Sequence, residues 1–252
     1  MGARPLHEDG VMAQALEQLA QQKDNLCGPF CAGRIMNLDQ DLVAQRSSTR
    51  IPAPSPRPSV PPGAQSRTDY RYDLPVAPDA ESGTSAAALL QAIASLSEGA
   101  LKAVPVSGAW SADQVERFVE AATASGARLI ANIRTGSLWG SHPPAELLLA
   151  ELNGEEVDGP RPDWDVGHYV ELAMLVRGPR GSLVVVHDTY PTLGWHGFHM
   201  QPPRILAAAL LRGDGREGGI LAVVTADQAD AVEALARGLG LEVRAWDNGS
   251  RS

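Results

Sequence analysis

The chain has few of the features that mark membrane, secreted or nucleic-acid-binding proteins. Only two of its 252 residues are lysine, Lys23 and Lys102, and the arginines are scattered. The formal net charge is -9, so no basic patch is available to hold a phosphate backbone, and nucleic acid is not an expected partner. No apolar run is long enough to span a bilayer. The N-terminal residues lack the basic stretch followed by an apolar core that marks a secretory signal, so the cytoplasm is the expected compartment. Aromatic residues make up only 5% of the chain, and the Ala, Gly and Pro bias reads as that of a high-GC bacterial genome.

Cysteine is equally scarce. Cys27 and Cys31 are the only two. Four residues apart on one helix, they are poorly placed for a structural disulfide. With no second Cys or His pair nearby at ligand spacing, they do not suggest zinc either, and no cofactor or metal is expected. His187, His196 and His199 lie near Asp188, but His187 and Asp188 are strand neighbours and point to opposite faces.

What is present is enough apolar residue, 44%, for one sizeable core. Helical spacing is expected over 11–21 and from Cys27 to about Asn37. Residues 46–80 carry Pro52, Pro54, Pro56, Pro58, Pro61 and Pro62, and read as an extended surface loop that overlies the site. Helices are expected at 84–96, 111–124 (started by Ser111), 203–211 and 226–238. Strands are expected at 101–106, 127–134, 168–177, 182–187, 195–199 and 219–225. Residues between 134 and 168 read as a Gly/Pro-rich loop. The Gly178–Gly181 turn makes 168–177 and 182–187 a hairpin. Helices followed by mostly antiparallel strands give an α+β fold in one domain, 1–252.

Chemistry concentrates at Cys27. Turn residues precede it and Gly28-Pro29 follow, so its sulfur sits at a helix N-terminus, where unpaired N–H groups and the macrodipole favour the thiolate. A thiolate nucleophile needs a base and a group to orient that base. His168 opens one hairpin strand and Asp188 closes the other, so the hairpin brings the two together. Asp163, Trp164 and Asp165 precede the base in a loop, and Trp139 and Trp195 are candidate cleft walls.

Gln21 six residues before Cys27-Gly28, then Gly167-His168-Tyr169-Val170, then a Val-rich strand ending at Asp188, resembles the papain-like cysteine peptidases. Among these it is most similar to the bacterial double-glycine leader peptidases, over roughly 15–40 and 84–212. The resemblance implies a papain-like fold and a peptide or precursor-peptide substrate. It implies an oxyanion role for Gln21, with Cys27 as nucleophile, His168 as base and Asp188 as its orienting partner. Three features depart from that pattern: Leu26 where the family has Asp, Thr189-Tyr190 between Asp188 and Pro191, and the 46–80 insertion. Alternatives from the same residues are an acyltransferase, amide synthase or cyclase that releases the thioester to an amine, and a non-catalytic peptide-binding module.

Overall fold

A computed structural model describes residues 21–54 and 59–251. The helix expected over 11–21 lies, but for its last residue, outside the described residues. Among the described residues the first elements are α1 (Cys27–Met36) and α2 (Gln40–Arg46). Strand β1 (Ile51–Pro52) then pairs in parallel with β2 (Val76–Ala77). After α3 (Ala86–Leu96) come β3 (Leu101–Ser107), α4 (Ala112–Ala124), β4 (Arg128–Arg134) and α5 (Ala145–Leu152). The remainder is β5 (Gly167–Arg177), β6 (Ser182–His187), β7 (Phe198–Gln201), α6 (Pro203–Leu211), β8 (Gly219–Thr225), α7 (Ala229–Gly238) and β9 (Glu242–Val243).

Strands β3 to β9 form one seven-stranded sheet in the order β7-β6-β5-β4-β8-β3-β9. Every neighbouring pair in it is antiparallel. The α+β class follows directly. Helices cover both faces, which explains why β4 and β8 read as nearly unbroken apolar runs rather than alternating ones. On one face, Leu129, Ala131 and Ile133 of β4 and Val170 and Leu172 of β5 meet Val115 and Phe118 of α4, Leu206 of α6 and Val232 of α7. On the other, Ile130, Tyr169, Leu221 and Val223 meet Cys31 of α1, Val43 of α2 and Leu89 and Ile93 of α3. Leu89 and Ile93 are fully buried, each contributing about 1.5–3 kcal/mol of transfer free energy.

Local chemistry sets the element ends. Ser111 and Gln114 form a reciprocal capping box at the start of α4, and Ser85 caps α3 by accepting from the Ala88 N–H. The β5–β6 turn requires glycine because α5 ends against it: a Cβ on Gly181 would lie 1.9 Å from the Glu151 carbonyl oxygen. That helix falls inside the stretch expected to be loop. Its residues Ala145 to Leu152 are good helix formers following Pro143-Pro144, and its only buried residue is Glu151, so it shows no apolar stripe of normal width. The strand expected over 195–199 starts later, at Phe198. Gly194, His196 and Gly197 all take positive φ (59°, 51° and 87°), which is turn rather than strand geometry.

Among the described residues, no helix is long and apolar enough to cross a membrane.

Candidate functional site

Residues 21–26 approach α1 as a pinned loop rather than as helix. The Gln22 N–H donates to the Thr189 carbonyl (3.1 Å), and Asp24 N–H to the Arg67 carbonyl (2.9 Å). Lys23 Nζ makes a buried ion pair with Asp41 of α2 at 2.5 Å. Asn25 adopts a left-handed conformation (φ 61°), which Asn tolerates better than most residues, and the chain then turns into the helix. Leu26, the first departure from the resemblance, is fully buried at the N-cap and offers no side-chain cap. The first-turn N–H groups are thus left for whatever sits at the helix end.

Cys27 occupies that end. Burial pushes its thiol pKa up, but a hydrogen bond to His168, the His168 charge, and the backbone N–H groups of Tyr169 and Gly28 outweigh it. The net shift is downward. Cys31, one turn further on, is fully buried and directs its sulfur toward the Tyr169 carbonyl (3.7 Å). Its pKa is raised well above that of an ordinary thiol, first by burial.

His168 is the second residue of β5, on the face shared with Val170 and Leu172. Its Nε2 lies 3.1 Å from Asp188 Oδ1 and 3.1 Å from Thr189 Oγ1. That leaves Nδ1 for Cys27. Trp164 meets the imidazole edge-on at 5.2 Å and Tyr190 stacks on it at 6.0 Å. Burial pulls the imidazole pKa down, but the Asp188 charge and hydrogen bond, then Cys27, overcome it and raise it well above its usual range.

Asp188 follows β6 directly. Its Oδ1 accepts from the backbone N–H groups of Thr189 (2.7 Å) and Tyr190 (3.1 Å) as well as from His168. Burial would raise the carboxyl pKa; His168 and, more weakly, His199 hold it well below the usual range. The second departure has a structural role here. Thr189 donates its hydroxyl to Gln22 Oε1 (2.6 Å), while Gln22 Nε2 reaches the Tyr190 hydroxyl (3.0 Å).

One expected site residue lies elsewhere. Gln21 Nε2 bonds the Gln65 carbonyl (2.5 Å), away from the sulfur, and Gln22 is the glutamine beside Cys27 and His168. The reason is long-range: the Gln22–Thr189 backbone bond fixes which side chain of this extended segment faces inward. His187 points away from Asp188. It stacks on Phe198, and its Nε2 accepts from Arg34 Nη1 (3.0 Å). Burial and then the Arg34 charge lower its pKa to about 3, so it stays neutral. Arg34 also pairs with Glu171 of β5 (2.5 Å) and donates to the His187 and Asp188 carbonyls. It ties the helix carrying Cys27 to the hairpin carrying His168 and Asp188. Of the two candidate tryptophan walls, Trp195 is 76% exposed, whereas Trp139 is buried.

Cys27, His168, Gln22, Asn25, Trp164 and Tyr190 open onto a cavity of about 560 Å³. Sequence reasoning missed its far wall: Asn132 of β4, Arg212 and Asp214 after α6, and Asn248 and Ser250 near the C-terminus. Arg212, almost wholly buried, forks onto Asp214 (3.2 and 2.7 Å) and donates to Asn132 Oδ1 (3.1 Å). Ser59 of the Pro-rich insertion also reaches the cavity. Among the described residues, no group of three or more His, Cys, Asp or Glu side chains is placed to hold a metal ion.

The fold and site thus define an α+β protein whose helix-terminal cysteine abuts a buried His–Asp pair. Over residues 7–247 the chain matches the model of a family of unknown function, DUF6885, and it belongs to that family. No curated protein and no solved structure matches it.

Proposed function

We propose that this protein is a papain-like cysteine enzyme that transfers acyl groups, acting as a peptidase on a peptide or precursor-peptide substrate. The observation that carries the reading is the buried relay from Asp188 through His168 to Cys27, in which the thiol pKa is lowered and the imidazole pKa raised. Both shifts favour a thiolate–imidazolium pair, the reactive form of a cysteine nucleophile. A structural cysteine shows the opposite shift, as Cys31 does.

In this mechanism the Cys27 thiolate attacks the substrate carbonyl carbon. Charge builds on the carbonyl oxygen, for which the Cys27 and Gly28 N–H groups at the start of α1 are the nearby donors; the Gln22 amide would reach it by giving up a bond to the Lys23 carbonyl (3.2 Å) or the Tyr190 hydroxyl (3.0 Å). The C–N bond breaks, and the leaving amine takes the proton from His168. Water then attacks the thioester, His168 accepts its proton, and the acid departs as the thiolate re-forms. Trp164 and Tyr190 cover the imidazole, limiting its exchange with bulk water.

The test uses a Cys31→Ser background. Iodoacetamide alkylation of Cys27 is followed from about pH 4 to about pH 9, beside His168→Ala. A peptide mixture is then screened by mass, with and without added amines. Fast alkylation at low pH that depends on His168, together with hydrolysed peptides, supports the reading. Products carrying the amine would reassign the enzyme as an acyltransferase. Alkylation at the rate of an ordinary thiol, unchanged in His168→Ala, would remove the catalytic reading.

A further inference from the structure

Asp188 has two carboxylate oxygens, and His168 uses only one. Oδ2 faces a second buried imidazole, His199 of β7, whose Nε2 lies 3.8 Å away. Both side chains are about 2% exposed or less. The protonation state of His199 can be read from its other neighbour. Gln201 sits two residues on, on the same face of the strand, and its amide is fixed by the Trp139 backbone: Oε1 accepts from the Trp139 N–H (2.9 Å) and Nε2 donates to the Trp139 carbonyl (3.0 Å). That orientation cannot be flipped without breaking both bonds. Gln201 Nε2 is therefore the donor in its 3.1 Å contact with His199 Nδ1. An imidazole that accepts at Nδ1 and is neutral carries its proton on Nε2, the atom aimed at Asp188.

Building on the Cys27–His168–Asp188 reading, we infer that His199 is a positioning residue. It is a neutral Nε2–H dipole, locked in one tautomer by Gln201, that holds the Asp188 carboxylate ionised and in the plane that His168 needs. The remaining groups around the pair suit this role. Thr135, Ser141, Trp164 and Leu193 line the space beside Asp188 and His199, and among the described residues Asp163 is the only other carboxylate there. Asp163 is engaged with the Ser141 N–H. Removing the His199 dipole would loosen Asp188, weaken its hold on His168, and shift the Cys27–His168 pair toward the neutral thiol.

Two measurements test this. Imidazole ¹⁵N spectra of the wild-type protein should show His199 protonated at Nε2 and bare at Nδ1 across neutral pH. Cys27 alkylation near pH 6, in the Cys31→Ser background, should fall about tenfold in His199→Phe. It should return to within about twofold of wild type in His199→Gln, whose amide can place an N–H at the same point. Spectra showing His199 charged or protonated at Nδ1 would overturn the inference. So would alkylation that is equal in His199→Phe and wild type while His168→Ala abolishes it; the triad reading then survives. Equal losses in the Phe and Gln variants would also overturn it, since the N–H would not be what matters. Wild type alkylating no faster than His168→Ala removes the triad reading and this inference together.

Discussion

Gln22 and Thr189 are joined twice: the Gln22 backbone N–H donates to the Thr189 carbonyl at 3.1 Å, and the Thr189 hydroxyl donates to Gln22 Oε1 at 2.6 Å. One residue belongs to the loop before Cys27 and the other follows Asp188, so the double link holds the two halves of the candidate site in register. Gln22→Ala should lower the rate of acylation at Cys27 by about tenfold to a hundredfold. Gln21→Ala, which removes a bond at the surface, should stay within about twofold. Burst kinetics with an acylating ester would read both. Equal effects would mean that the inward glutamine has no special role.

The raised pKa of His168 also makes a prediction about stability. A group whose pKa is higher in the folded protein stabilises it fully below the unfolded value, near 6.5 for His, and loses that contribution as pH climbs through the folded value. The stability difference between wild type and His168→Gln should therefore be largest below about pH 6.5 and narrow in the alkaline range. Urea unfolding at a series of pH values measures it. A difference that widens with rising pH would contradict an upward shift of the imidazole pKa on folding.

Lys23 and Asp41 form an ion pair whose side chains are 9% and 3% exposed. Deleting Asp41 leaves the buried Lys23 charge with only the largely exposed Asp69 carboxylate (3.6 Å) beside it, so Asp41→Ala should cost about 3 kcal/mol in chemical denaturation. Lys23 also holds the Asp69 carbonyl (2.5 Å), so the same variant should slow Cys27 alkylation by displacing the loop before it. A loss below about 1 kcal/mol would show that water reaches the pair.

Much of the site is legible in the sequence because short-range geometry determines it. The hairpin is readable from Gly178 to Gly181 between two largely apolar runs, and its register brings Glu171 opposite His187, which leaves His168 and Asp188 at the same end. Cys27 at a helix start is readable from turn residues followed by Gly-Pro. Less visible are features set by long-range packing. Nothing local distinguishes Gln22 from Gln21; the Thr189 carbonyl, far along the chain, does. His199 and Gln201 carry a period-two signal, but only the Trp139 backbone makes it meaningful. The far cavity wall is assembled from β4, the loop after α6 and the C-terminal residues, which no spacing rule connects. Helix α5 is hidden by the Gly and Pro residues on either side of it.

The loop leading into Cys27 is clasped by residues more than forty positions away. Arg67 donates to the Gln21 carbonyl (3.0 Å) and its N–H to Asp24 Oδ1 (3.0 Å), Ser66 bonds the same carboxylate, and the Tyr70 hydroxyl donates to the Asp24 carbonyl (3.0 Å). These contacts form at the high effective concentration that a continuous chain provides. A single backbone cut between residues 47 and 65 would turn each into an encounter between loosely tethered pieces, and the prolines concentrated there already reduce the entropy that closing the loop would cost. The Pro-rich segment is thus a splint for the residues leading into Cys27.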